Sequence, residues 1–557
     1  MKSMPPGPRV AQPSPLRRAW QLLALDRQDI LVIVIYGVAL GLLSLAVPVA
    51  VQSLVNTVAF GSLIQPLVVL TILLAVALIG AAILRALQVR ITEMLQRRLF
   101  VRIVTEIGGR LPRVSAGALR AANGPELLNR FFDVFTTQKS VASLLLGGID
   151  AILVALVGLI VLAFYHPALL AFDLILIVGA VLVLIPLGRG GTRTSVAESK
   201  AKYAVAGWLE EMARHPLSFK LAGGPPLAQQ QVERLARTYL DKRDLHFRVV
   251  FRQLIGALSI EVIASVALLA VGGLLVIGRE LSIGQLVAAE LIVTAVVASI
   301  AKLGGKVEVF YDLVAAVDKL GEILDLPLER SGGEEPDPKD GPMGHLVVRD
   351  LQLLVSEPEP VSMELRRGER LCLSGATQTT DRIVDAIFGL EPAQSGIIEI
   401  DGHDARDLAL REVRRRIALV RGAELFPGSI LDNLRAANET LSAEEAWDAL
   451  RRVGLAGAVK ALPEGLQTRI LHDGTPLSRT QTIALTMARA IAGKPSILIL
   501  DRTLDQFDPE EVARILDRLL TKRDASVLLI SEDPAIHQRV DRHLELLQTH
   551  TPEGEAA

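Results

Sequence analysis

Gly375-Ala376-Thr377-Gln378-Thr379-Thr380-Asp381-Arg382 follows the apolar run Arg370-Leu371-Cys372-Leu373-Ser374 and stands where a phosphate-binding loop belongs between a strand and a helix. The working pattern, G-x-x-x-x-G-K-[ST], turns backbone N–H groups toward phosphate oxygens, meets them with a lysine and holds magnesium with a hydroxyl. Only Gly375 remains of it: Thr380 replaces the second glycine, Asp381 the lysine and Arg382 the hydroxyl. The stretch keeps the position of a phosphate loop and loses its chemistry.

The chain around it is a membrane protein by composition. Of 557 residues, 50% are hydrophobic and the mean hydropathy is +0.41, too apolar for an ordinary soluble enzyme. A net charge of −2 with 59 dispersed basic residues offers no field for nucleic acid. The single cysteine, Cys372, excludes an intramolecular disulfide and a cysteine metal cluster; between Leu371 and Leu373 it reads as a buried strand thiol. Basic residues scattered among prolines in 1–29 give no signal peptide, so a cytoplasmic N-terminal segment is expected there.

Apolar runs long enough to cross about 30 Å of hydrocarbon as helices fall near 30–57, 67–87, 141–164, 168–188, 254–278 and 283–303. The turns after the first and third runs hold no basic residue and the fifth-to-sixth turn only Arg279, whereas Arg90, Arg97, Arg98, Arg102, Arg110 and Arg113 follow the second. The positive-inside rule then places both termini in the cytoplasm. Amphipathic spacing through Ile91–Ile107 and Ala201–Met212 extends the spans into cytoplasmic stalks, giving a membrane domain over 30–327. From Glu329 to Pro342 the composition turns charged and rich in Gly and Pro, which reads as a flexible linker (328–344). Beyond it, short apolar runs such as Ile417–Val420, Ser496–Leu500 and Ser526–Ile530 alternate with helical segments, an α/β domain over 345–548 with a polar tail at 549–557.

Six spans with stalks followed by an α/β domain resemble a half-transporter of the ATP-binding cassette (ABC) exporter family. Glu391-Pro392-Ala393-Gln394-Ser395-Gly396-Ile397-Ile398-Glu399-Ile400-Asp401-Gly402 and Leu425-Phe426-Pro427-Gly428-Ser429-Ile430-Leu431-Asp432-Asn433-Leu434 follow the cassette framework closely. The approach to the sixth span, Gly278–Ala288, looks like type I secretion and bacteriocin exporters; Asn123–Val134 resembles their first coupling loop, and Phe219-Lys220 ends a stretch similar to the second. No peptidase domain is read ahead of the spans, so cleavage of a cargo leader is not expected.

The resemblance also names the positions at which chemistry is altered. Val355 stands near the aromatic that stacks adenine, and Gly422 falls at the magnesium-sensing glutamine. The signature LSGGQ reads Leu477-Ser478-Arg479-Thr480-Gln481. Asp501 keeps the metal-linked Walker B carboxylate, Arg502 replaces the catalytic glutamate, Asp508 keeps the D-loop aspartate and Glu532 replaces the switch histidine. Phosphoryl transfer depends on positioning and charge neutralisation, and a carboxylate at 381 repels a triphosphate that lysine attracts. The expectation is a degenerate site with no catalytic residue, no metal and no cofactor. Two readings of it are open: drift after loss of selection, or a pocket rebuilt to hold its shape without ligand. The second expects Arg382 to face Asp501, a guanidinium in place of magnesium, and Asp381 to pair with Arg502 or another nearby base.

Asp150, Asp173, Glu261 and Glu290 fall within or at the ends of the spans, where ionisable groups are costly and often functional. Glu290 is the candidate for a cavity-lining group. Gly37, Gly41 and Pro48 mark either a gate or helix packing with a kink. The function expected is that of a dimeric structural or regulatory component of a transport or secretion assembly in the cytoplasmic membrane, without ATPase activity. Its partners would be a second copy or another ABC half, membrane lipid, and by the secretion resemblance a periplasmic adaptor and outer-membrane channel, with no nucleic acid. One alternative is the degenerate half of a heterodimeric exporter of peptide, lipid or drug, using ATP and magnesium through its partner. Another is a membrane sensor or scaffold that signals without nucleotide.

Overall fold

The structure is a computed structural model that describes residues 15–24, 26–60, 64–121, 127, 129–336, 344–353, 360–520 and 525–546. It divides into two compact units. The first comprises Met1–Val114 with Ala118–Pro327, and the second Leu328–Ala557 with Ser115–Gly117.

Among the described residues, six helices of the first unit are long and apolar enough to cross a membrane: Arg27–Thr57, Ile64–Arg113, Asn129–Ala163, Pro167–Leu184, Gly224–Ile277 and Ile283–Leu324. They coincide with the six apolar runs. The second and fifth, of 50 and 54 residues, are about 75 and 80 Å long at 1.5 Å per residue, far more than a bilayer core requires. The first span is broken at Ser44-Leu45, between helical segments Arg27–Leu43 and Ala46–Phe60. Pro48 lies four residues beyond Ser44, where its ring would collide with the Ser44 carbonyl of a continuous helix. Gly37 and Gly41 let the first span lie against the third: a Cβ on Gly37 would sit 2.6 Å from Leu153 Cδ1, and one on Gly41 3.3 Å from the Leu153 carbonyl. The structure therefore gives these positions packing and a kink. The fourth span stops at Leu184, just before Ile185-Pro186, because the residue preceding proline avoids helical dihedrals. The third carries one π-helical stretch, Leu144–Ile149, and Lys306 of the sixth donates to Ser143 Oγ at 2.7 Å beside it.

The second unit is built on a five-stranded parallel sheet. Three strands make an antiparallel layer with a short fourth: β1 (Leu346–Gln352), β2 (Val361–Leu365), β4 (Ser395–Ile400) and β5 (His403-Asp404), in the order β2-β1-β4-β5. A two-stranded pair joins β7 (Gly428-Ser429) to β8 (Arg469-Ile470). The parallel sheet has β3 (Arg370–Ser374), β6 (Ile417–Val420), β9 (Ile497–Asp501), β10 (Ser526–Ile530) and β11 (Arg542–Glu545) in the order β11-β3-β10-β9-β6. Its central strands read as unbroken apolar runs because both faces are covered. The alternation of side chains divides them: Cys372, Leu498, Leu500, Val527 and Leu529 enter the core shared with the helices of residues 430–536. Leu371, Leu373, Ile497, Ile499 and Leu528 enter the core under the antiparallel layer.

The segment expected as a flexible linker is instead bound to this unit from Glu329 to Glu335. Glu329 pairs with both terminal nitrogens of Arg414 at 2.7 and 2.6 Å, Arg330 donates to the carbonyls of Ala405 and Arg406, and Glu334 bridges to Leu408. Charge and glycine content signalled a linker, but the charges have partners about eighty residues away.

Candidate functional site

In an open parallel sheet the chemistry gathers beyond the carboxyl ends of the strands, and there the second unit places most of the altered positions. Helix α1 (Thr377–Ile387) follows β3 directly. Gly375, at φ +147°, makes the turn; a Cβ there would lie 2.8 Å from Leu546 Cβ and in a backbone region that L-residues avoid. Because the helix starts at Thr377, the residues that would form an open loop between two glycines are already helical. The N–H groups of Thr379 and Thr380 both turn back to the Ala376 carbonyl, at 2.9 and 3.1 Å. Gly375 donates its own N–H to Glu532 Oε1 at 2.7 Å. Three donors of a would-be phosphate cradle are thus engaged within the protein, one of them by a carboxylate.

The remaining space is filled by two arginines. Arg502 donates through Nη1 to Asp381 Oδ1 at 2.6 Å and to Asp501 Oδ1 at 3.0 Å. Through Nη2 it donates to Thr380 Oγ1 at 2.5 Å and to the Thr377 carbonyl at 3.4 Å. It does so from a left-handed backbone, φ +48°, a conformation that costs roughly 1–2 kcal/mol for a residue with a Cβ. Arg421 donates through Nε to the second oxygen of Asp501 at 2.5 Å and through Nη1 to Asp385 Oδ1 at 2.8 Å. Its Nη2 reaches the Asp381 carbonyl at 3.4 Å. The carboxylates of Asp501 and Asp385 are almost wholly buried, whereas about a third of each arginine is exposed, 34% for Arg421 and 30% for Arg502. Burial opposes the charge of Arg421, but its bonds to Asp501 and then Asp385 outweigh this and hold its pKa above the ordinary arginine value.

The expected pair of Asp381 with Arg502 is present. Asp501, expected opposite Arg382, is held by Arg421 and Arg502 instead. The cause is the helix: Asp381 and Asp385 are four residues apart and share the face of α1 turned to the site, while Arg382 is rotated from it by about 100°. Arg421 is the group that motif comparison missed, with Asp385 beside it. In the sheet Val420 pairs with Leu500, so Arg421 and Asp501 leave adjacent parallel strands side by side. The available signal was an arginine directly after the apolar run Ile417–Val420.

Elsewhere in this unit Gly422, at φ +79°, has no side chain with which to replace a magnesium-sensing amide. Ser478 and Gln481 are joined in a capping box at the start of helix α2 (Arg479–Ala492), Ser478 N donating to Gln481 Oε1 at 2.8 Å and Gln481 N to Ser478 Oγ at 3.3 Å. Arg479 is exposed on the first turn. Asp508 accepts the N–H groups of Glu511 and Val512 through its carbonyl and opens the helix Pro509–Leu520. Val355 and residues 123–126 of the first coupling-loop stretch lie outside the described residues; Pro216–Lys220 at the second is a short helix.

A magnesium nucleotide needs free N–H groups, a cation for the phosphates and a hydroxyl and carboxylate open to the metal. The groups at this site are committed to one another, and Asp381 and Glu532 put negative charge where phosphate charge would lie. They do not fit that ligand.

In the membrane-type unit, Asp150 is bound by Arg85 and by Gln88 Nε2, the latter at 2.7 Å. Glu290 is half-buried and Glu261 exposed. Asp173 is buried, at 3% exposure, and neither carboxyl oxygen has a hydrogen-bond partner.

Comparison with known proteins agrees with this architecture. Residues 358–504 match the family model described as ABC transporter. The chain is 30% identical over 266 residues to the probable multidrug resistance ABC transporter ATP-binding/permease protein YheH of Bacillus subtilis, covering 44% of this chain and 39% of that protein. It is 26% identical over 333 residues to the alpha-hemolysin translocation ATP-binding protein HlyB of Escherichia coli, covering 54% and 46%. Thus it spans less than half the length of these relatives. A fatty acid ABC transporter ATP-binding/permease protein of Mycobacterium tuberculosis is 25% identical over 525 residues, 86% of this chain and 79% of that one. In fold the chain is similar to a bacterial Atm1-family ABC exporter solved with ATP bound, with a TM-score of 0.82, 17% identity and 94% of each chain covered. Six membrane-type helices followed by a cassette that matches the ABC transporter family model give this multi-pass membrane protein the fold of an ABC exporter half-transporter.

Proposed function

We propose that this chain is a non-hydrolysing ABC half, a dimeric structural or regulatory component of a transport or secretion assembly in the cytoplasmic membrane, with both termini cytoplasmic. The observation that carries the reading is the Arg421–Asp501–Arg502–Asp381 chain of ion pairs. Two guanidiniums stand where a magnesium ion and the γ-phosphate environment would be, and the acid–base identities of positions 381 and 502 are exchanged relative to the family. That exchange favours a pocket rebuilt to be stable alone over simple decay, since decay gives no reason for the new charges to find one another. The assembly is either a homodimer or a pairing with another ABC half. The similarity to a translocation protein supports an adaptor and outer-membrane channel as further partners.

The test is Mg-ATP binding by the purified chain. A ligand bound only by the native state with Kd of about 10 µM would, at about 1 mM, stabilise it by about 2.7 kcal/mol. No magnesium-dependent rise in melting temperature is expected; a saturable rise of several degrees would overturn the reading. The second reading, a degenerate half of an ATP-driven heterodimeric exporter, is favoured by relatives named as ATP-binding and permease proteins. Vanadate-sensitive ATPase activity of a co-purified pair, lost on mutation of the partner alone, would establish it.

A further inference from the structure

The cassette pairs its buried acids, but one in the membrane-type unit has no counterpart. Asp173 sits in the fourth span, Pro167–Leu184, one residue after Phe172 and flanked by Leu169 and Leu176, which pack with Ala264 and Leu268 of the fifth span and Ile292 of the sixth. It is as buried as these apolar neighbours, and both of its oxygens lack a partner.

Among the described residues of the spans packed on it, none can compensate a charge. Along 167–187 Asp173 is the only ionisable residue, and the third span has none from Ala151 to Ala163. Asp150, at the far end of that span, is already held by Arg85 and Gln88. On the fifth span the sole ionisable group between Gln253 and Gly278 is Glu261, and on the sixth the sole one between Ile283 and Ala301 is Glu290, both carboxylic acids. Of the basic groups on these elements, Arg252 is bound to the Leu187 carbonyl, fourteen residues and about 20 Å of helix from Asp173. Lys306 is bound to Ser143, and Lys302 lies beyond the apolar stretch of the sixth span. At the opposite end, His166 accepts the Ala168 N–H and pairs with Glu280. An isolated carboxylate in such surroundings takes up a proton rather than stay charged.

We propose that Asp173 is a proton-binding site of the membrane unit. The carboxyl group holds its proton while the fourth span is packed on the third, fifth and sixth, and gives it up when those helices part and admit water. Release and rebinding couple a proton to helix movement, a step that needs no nucleotide. The balance is a single O–H bond broken to water and re-formed from it. An acid kept this dry and this lonely has no packing advantage over leucine, which is what makes a working role the better account of it.

Infrared spectroscopy of the full chain in lipid vesicles decides the matter. The wild-type minus Asp173→Asn difference spectrum at neutral pH is expected to show the carbonyl band of a protonated carboxylic acid, lost in the variant. Carboxylate bands in its place would overturn the proposal. Should the variant fail to assemble, isotope labelling of the aspartate carboxyl carbons in the wild type serves equally. A shifted protonated-acid band at neutral pH that persists in an Asp133→Asn background supports the site, because Asp150 is ion-paired and Asp133 is another deeply buried aspartate of this unit, and its absence refutes it. The readout is protonation alone, so nucleotide binding by the cassette would leave this result standing.

Discussion

Asp501 of the cassette and Asp173 of the membrane-type unit are the same residue type at nearly the same burial, 2% and 3% exposed, and they are stabilised in opposite ways. Asp501 has both oxygens on guanidiniums and belongs to a set of three acids and two arginines. Asp173 has no hydrogen-bond partner among the described residues. Burial by itself therefore does not say what an acid does. Where cations can be brought from adjacent strand ends, the charge is kept and used as structure; where the neighbours are apolar or acidic, it is cancelled by a proton.

The comparison would break first at Arg421. Arg421→Ala takes a guanidinium away from the buried carboxylates of Asp501 and Asp385, and a cost of about 3 kcal/mol is expected. Cys372 reports it, since the thiol is fully buried in β3 and burial pushes its pKa up to about 12. Alkylation then waits for the cassette to open, and the variant should react roughly 100-fold faster. An unchanged rate would mean that the ion pairs do not hold the site.

A matched pair of isosteric changes sharpens the contrast. Asp501→Asn should cost about 1–3 kcal/mol by the same thiol measurement, because two guanidiniums lose their acceptor charge. Asp173→Asn should change the melting temperature of the full chain by less than about 1 kcal/mol equivalent, since a protonated acid and an amide are both neutral. Equal effects would erase the distinction. Below the cost of Asp501→Asn, Ser478→Ala removes the capping box of α2 and should cost roughly 0.5–1 kcal/mol, seen as faster hydrogen exchange in the first turn of that helix.

The smallest effect belongs to an exposed acid. Glu445 is drawn down to about 2 by its hydrogen bond to Lys494, then by those from the Ser442 backbone and side chain. A lowered acid contributes stability above its ordinary value of 4.5 and loses it as pH falls toward 2. Lys494→Met should lower the cassette's stability slightly above pH 4.5, converge with the wild type as pH falls toward 2, and so flatten the acid limb of the pH–stability curve between these values. A curve as steep as the wild type would remove this pair from the account.

Much of the fold was legible because its signals are local. Long apolar runs gave the six spans, and Leu498–Leu500 with Val527–Ile530 gave strands buried on both faces. Pro48 acts on its own turn of helix. The site was half legible, and the boundary is physical. Asp381 and Arg502 carry an exchange of charge visible at two motif positions. Arg421 acts because parallel pairing sets it beside Asp501, and register between strands eighty residues apart leaves no mark in either. Arg382 was misassigned because α1 begins earlier than an open phosphate loop allows, which turns every side chain after Thr377 by a helical angle. Likewise the pairing of Glu329 with Arg414 could not be seen in a stretch whose composition alone says linker.

The five charged groups at the cassette site also fix the order in which it can change. Restoring lysine at 381 alone sets a third cation against Arg502, and restoring glutamate at 502 alone surrounds Arg421 with four carboxylates. Either single step passes through a cassette less stable than its start, while both together return the same sum of charges in exchanged places. A site built this way is a ratchet: sequence drift at one position is trapped by the other, and the route back to a nucleotide cradle runs only through paired substitution.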